Sequence, residues 1–223
     1  MTGVQTCALP ICFIANRDML RENFRNEGSA MHLMGAAILS SIEDGPDAKE
    51  LKECEKILKK HEGFFSPFRG ALKFPVIINM SRKEDPVDYL RLVREAYDMI
   101  CISMRSRNER YYLPAMEIAA EASSEEDISD LVEERESSFD EAAEFSTLLA
   151  ELKMDEKKAT SEVRDAEEFL GTQKGFGVMG VGPELKHMYA EMLVCIAGGK
   201  GEEAGRLAAR HALDDALQSR FKA

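Results

Sequence analysis

Ser81-Arg82-Lys83-Glu84-Asp85-Pro86 runs straight into Val87-Asp88-Tyr89-Leu90-Arg91-Leu92-Val93-Arg94-Glu95-Ala96-Tyr97-Asp98-Met99-Ile100-Cys101, and this stretch decides the fold. Leu90, Val93, Tyr97, Ile100, Cys101 and Met104 recur at steps of three and four, the period of one helix face, while Arg91, Arg94, Glu95 and Asp98 fall elsewhere. Asp85 brings the carboxylate that an N-cap uses. Pro86 follows at the first helical position, where an amide hydrogen would have no partner in any case. The spacing predicts a half-buried helix over residues 85–107 that starts at this turn.

Upstream, Ala71 to Met80 is apolar almost all round, as a helix covered by neighbours is. Its Phe74-Pro75-Val76-Ile77-Ile78-Asn79 is the one strand-like run in the chain, but it stands alone and carries a proline, which assigns it to a helix start. The same order, a small apolar segment, a Ser/Asp/Glu/Gly turn and a charged amphipathic segment, recurs five times. The other turns are Ser41 to Pro46, Ser123 to Asp127, Met154 to Glu156, and Gly198 to Glu202. The other apolar segments are Met31 to Leu39, Pro114 to Ala120, Glu144 to Leu152, and Leu185 to Ile196. Aligned on Ile38, Asn79, Ala119, Ala150 and Ile196, they stand 41, 40, 31 and 46 residues apart. Recurrence in fixed order at this scale marks stacked helical pairs. The expectation is an all-α chain of helical hairpins, stacked as a short α-solenoid of HEAT, armadillo or TPR type, with about five pairs in one domain over residues 13–223.

Composition narrows the partners. At 44% hydrophobic and 31% charged, the 223 residues suit a packed globular chain rather than a disordered one. The net charge of −12, from 41 acidic and 29 basic residues, argues against nucleic acid, which demands clustered Lys and Arg. Residues 13–110 hold 17 basic and 16 acidic side chains, so the excess lies wholly in residues 111–223, with 12 and 25. Such an asymmetry could steer a basic partner, but a solvated acidic surface is the plainer reading. Cys7, Cys12, Cys54, Cys101 and Cys195 are odd in number and contain no CxxC pair, which points to reduced thiols and a cytoplasmic setting. Beyond the first residues the longest uncharged run, Gly28 to Ile42, is too short to span a bilayer, so no membrane association is expected.

Thr2-Gly3-Val4-Gln5-Thr6-Cys7-Ala8-Leu9-Pro10-Ile11 lacks the positive start of a signal peptide and resembles the translated read-through of a common sequencing adapter. Residues 1–12 are therefore expected to be an artefactual leader outside the fold, with the natural N-terminus truncated.

Three segments carry candidate chemistry. Gly175-Phe176-Gly177-Val178-Met179-Gly180 matches GxGxxG, but it follows a charged helix and not the buried strand that a dinucleotide site needs. Gly175, Gly177 and Gly180 remain candidates for holding an anionic group near the amides of the helix that begins at Pro183; the plainer reading is a long connector with its Phe packed on the core. Glu184 and His187 share a helix face in an ExxH spacing, yet di-iron carboxylate sites need two such pairs, so His187 is a candidate contact and no metal is expected. Phe64, Phe65 and Phe68 beside Arg69 form either an aromatic and cationic recognition pocket or the apolar glue between the first two pairs, with Gly63 closing a helix. There is no P-loop, no Gly-x-Ser-x-Gly elbow and no HExxH, and no cofactor is expected.

Asn16-Arg17-Asp18 with Phe24, Met31-His32-Leu33 with Ala36-Ala37-Ile38, Leu51-Lys52-Glu53-Cys54 with Ile57-Leu58-Lys59-Lys60, and Gly63-Phe64-Phe65-Ser66 with Phe68-Arg69-Gly70 resemble a bacterial family, domain of unknown function 4003. The likeness is strongest over residues 13–80. It implies a helical bacterial protein and carries no catalytic residues with it. The function expected is a non-enzymatic scaffold that binds a protein or peptide. The alternative is a small-molecule sensor or enzyme with its pocket between the 64–69 junction and the 175–183 loop.

Overall fold

The computed structural model describes residues 3–63, 66–70, 72–122, 124–136, 139, 156–174, 176, 181–201, 203–205, 207, 208 and 210–212. Among them the chain is all-α, with no strand. The helices are α1 (Gly3–Asn23), α2 (Ser29–Ser40), α3 (Ala48–His61), α4 (Lys73–Ser81), α5 (Pro86–Ser103), α6 (Tyr112–Glu121), α7 (Glu125–Arg135), α8 (Glu156–Thr172) and α9 (Pro183–Ala197), followed by a helical segment within residues 201–212. The apolar segment Glu144 to Leu152 lies outside the described residues. Helix α1 begins within the segment read as a leader and contains Pro10, which is buried.

Turn chemistry sets the helix starts. Asp85 accepts from the amides of Val87 (2.9 Å) and Asp88 (3.0 Å), with Pro86 at the first helical position. Asp47 accepts from Lys49 and Glu50 while its own amide donates to Glu50 at 2.8 Å, a reciprocal capping box that opens α3. Pro75 sits in the first turn of α4, where helices tolerate it, so the strand-like run is indeed a helix start. The face of α5 is wider than its periodicity predicts: Leu90, Val93, Ile100 and Cys101 are buried, and so are Tyr89, Leu92 and Ala96. Helix α3 ends at Glu62 in an extended conformation, so its stop does not use Gly63 in the left-handed region.

Two ends share one hydrogen-bond pattern with different residues at its left-handed position. After α9, Gly199 (φ 85°) places the Lys200 amide on Cys195 O (2.9 Å) and its own amide on Ile196 O (3.0 Å). After α5, Arg105 (φ 50°) does the same work for Cys101 O and Ile102 O, both at 3.2 Å. Arg105 thus lies beyond the helix end, just past the Met104 cap. A side chain in this region is strained, whereas glycine is not but has more entropy to lose. Arg105→Gly is expected to stabilise, and Gly199→Ala to destabilise, by about 0.5–1 kcal/mol each; urea midpoints moving the same way would contradict this.

The chain divides into two compact units, Pro46–Ala142 and a discontinuous one made of Met1–Gly45 with Ala143–Ala223. In Pro46–Ala142 the helices α3 to α7 pack in sequence order. In the other unit, α1 packs on its sequence neighbour α2 and α8 on α9, while α1 also packs on α8 and α9, which are distant in sequence. The core there joins Phe13, Leu33 and Ala37 to Val163, Leu170, Met188, Tyr189 and Leu193. A Cβ at Gly205 would overlap the Ser41 side chain, which shows how closely the last helical segment approaches the end of α2. The division between units falls inside the first predicted pair, because α2, apolar all round, takes its cover from α1 and the C-terminal helices.

Candidate functional site

Phe68 is 2% exposed, with its ring edge-on to Tyr112 (4.9 Å, 72°), which in turn stacks on Tyr97 (3.8 Å, 5°). Burial pushes both phenols above the usual tyrosine range. Beside them the buried Glu62 carboxylate accepts from Ser66 Oγ (2.7 Å) and pairs with Arg94. Phe68 therefore belongs to packed interior, and Arg69 is half-buried next to it. Phe64 and Phe65 lie outside the described residues, as do Gly175, Gly177 and Gly180.

His187 is held between two carboxylates, Glu167 of α8 (Nδ1 to Oε1, 2.9 Å) and Glu191 one turn on (Nε2 to Oε1, 3.3 Å). This is a clasp between α8 and α9. Glu191 stood at a legible spacing from His187, but Glu167 comes from another helix, beyond any local pattern. Among the described residues no group of three or more His, Cys, Asp and Glu is placed to hold a metal ion. Phe68 and Arg69 belong to unit Pro46–Ala142, and His187 to the discontinuous unit.

The discontinuous unit holds a cavity of about 130 Å³ that residue patterns did not single out. Arg17 and Arg21, one turn apart on α1, Ser29 and His32 at the start of α2, and Lys174 and Phe176 flanking Gly175 line it. Its anchor is Arg17, 5% exposed. Arg17 Nη1 donates to the Lys174 carbonyl (2.7 Å), while Nε and Nη2 donate to one Asp18 oxygen (3.0 and 2.8 Å). A guanidinium has five N–H groups, so two of Arg17's have no partner among the described residues. Arg21 stands 3.9 Å from Asp18 and is half-exposed, and Lys174 is exposed.

Phe176 explains how the loop reaches this place. Its ring is 4% exposed and packs 6.2 Å from Phe13 and 6.3 Å from Tyr189, pinning the backbone beside Lys174 against the core. His32 Nε2 lies 3.0 Å from the Phe24 carbonyl, which ties the start of α2 to the end of α1. The result is a small cavity with three cationic side chains and no carboxylate in its wall, in a chain that is acidic overall. Such an arrangement attracts an anionic group and orients it by charge-assisted hydrogen bonds.

Burial pushes the Cys54 thiol up to about 11 and the Cys195 thiol up to about 12. Among the described residues no helix is long and apolar enough to cross a membrane. Comparison with protein-family models, with curated proteins and with solved structures finds no match for this chain.

Proposed function

We propose that this protein is a non-enzymatic binding module that holds a protein or peptide partner by an anionic group seated in the cavity between α1, α2 and residues 174–176. One observation carries this: Arg17, Arg21 and Lys174, drawn from opposite ends of the chain, face one small opening whose anchor guanidinium is immobilised by its own hydrogen bonds. Pre-positioned donors of this kind bind without first losing side-chain entropy. A cytoplasmic location agrees with the free thiols of Cys12, Cys54, Cys101 and Cys195, and nucleic acid is a poor fit to the net charge of −12. Kinship with domain of unknown function 4003 rests on the likeness over residues 13–80.

The test is a binding titration with immobilised degenerate peptides, one pool carrying anionic residues and one neutral. The anionic pool is expected to be retained at low salt and released as salt rises. Combining Arg21→Glu with Lys174→Glu is expected to weaken retention by roughly a hundredfold, since two attractive contacts become repulsive. Equal retention by the double variant, or no retention of either pool by the native chain, would overturn the proposal.

A further inference from the structure

We infer that the anionic group is a phosphoryl group on a partner's side chain, so that the cavity recognises a phosphorylated peptide whose flanking residues are basic. This rests on the binding reading above and goes beyond it by choosing among anions. The first ground is charge. Three cations line the cavity, and Asp18, just outside it, offsets one of them by sharing its oxygen with Arg17. About two positive charges remain, on Arg21 and Lys174, which matches a phosphate monoester at about −1.5 to −2 and over-matches a carboxylate at −1.

The second ground is size and donor geometry. A cavity of about 130 Å³ admits a phosphorus with its terminal oxygens. Its donors arrive from separate directions: Arg17 and Arg21 from α1, Lys174 from the loop, and the Ser29 hydroxyl from the first residue of α2. Helix α2 has Gly28 at its N-cap, no side-chain cap hydrogen bond and no acidic residue in its first turn. The three terminal oxygens of a phosphoryl group point in three directions and take donors from several sides, whereas the lone pairs of a carboxylate lie in one plane.

The third ground decides the source of the phosphate. Sharing Arg21, Ser29 and His32 with the cavity is a more open groove of about 560 Å³, whose wall adds Asp18, Glu22, Arg25 and Glu27. A small phosphorylated metabolite would leave that groove unused. A peptide chain running through it would set a Lys or Arg side chain beside Glu22 and Glu27, since Asp18 is already shared with Arg17.

The experiment measures fluorescence polarisation with labelled degenerate peptides fixed at the centre as phosphoserine, phosphothreonine, phosphotyrosine, glutamate or serine, each with either basic or acidic flanks. At least one phosphorylated pool with basic flanks is expected to bind about tenfold or more tightly than its glutamate counterpart, and inorganic phosphate is expected to compete at millimolar concentration. Lys174→Gln and Arg21→Gln are each expected to lose roughly tenfold for the phosphorylated pool and far less for the glutamate pool, with urea midpoints unchanged. Glutamate binding as tightly as the phosphoresidues overturns the phosphoryl assignment but leaves the anionic binding module standing. Inorganic phosphate binding as tightly as any peptide pool overturns the peptide source. No binding by any pool overturns both.

Discussion

Phe13→Ala is expected to lower the unfolding free energy by about 3–5 kcal/mol, the range for truncating a fully buried phenylalanine. The ring is 0% exposed and lies 5.4 Å from Tyr189 and 6.2 Å from Phe176, at the point where α1 meets α9 and the loop after α8. Removing it opens a cavity that three elements from both ends of the chain would have to close, so collapse around the gap is restricted. For a chain of this length that loss corresponds to a fall in melting temperature of about 6–20 °C. Phe13→Leu keeps most of the apolar volume and is expected to cost about 1.5 kcal/mol or less. Urea unfolding followed by circular dichroism separates the two. A Phe13→Ala loss below about 1 kcal/mol would mean that α1 does not seal this core. Because Phe176 rests on Phe13, the same variant is expected to loosen Lys174 and weaken anion binding.

Phe68→Ala is expected to cost a similar 3–5 kcal/mol, and the result distinguishes two roles for one residue. Phe68 stood out in the sequence as part of an aromatic and cationic cluster with Phe64, Phe65 and Arg69. In the structure it is 2% exposed and its ring meets Tyr112 edge-on, an arrangement that adds about 0.5–1.5 kcal/mol to the burial. A ligand contact would behave differently: truncation would weaken binding and leave the urea midpoint in place. The expected outcome is the reverse, a large fall in stability with the anion site, which lies in the other unit, unchanged in the fraction that remains folded.

The helices were legible in detail where local chemistry marks them. Asp85-Pro86 and the apolar character of the segments that became α2 and α4 reappear as a capped start and buried helices. The face of α5 came out wider than its stripe, because Tyr89, Leu92 and Ala96 are covered by neighbours that a single-helix period does not include. The stop of α3 was misplaced by one feature: a glycine two residues beyond a helix invites a left-handed cap, but the chain turns at Glu62 instead.

The candidate site was much less legible. Arg17 and Arg21 have the one-turn spacing that puts two side chains on one face, and Lys174 sits directly before Gly175, but nothing in either segment points to the other. The Gly loop drew attention for its glycines and for the helix start at Pro183. What matters in the structure is the pair at its near end: Lys174 offers a carbonyl and a cation, and Phe176 an anchor.

By itself, then, the sequence determined that this protein is all-α, where most of its helices start, and which of them must be buried. Those outcomes depend on residues within four positions of each other, through backbone hydrogen bonds, caps and the 3.6-residue period, so a local pattern encodes them. Only the tertiary structure decided what covers α2, that the first 45 residues share a unit with the last 81, and that a guanidinium meets a carbonyl 157 residues away to wall a cationic cavity. The physical reason is that hydrophobic burial has no direction and no sequence range: an apolar helix specifies that it needs a partner, and the packing of the whole core chooses which one.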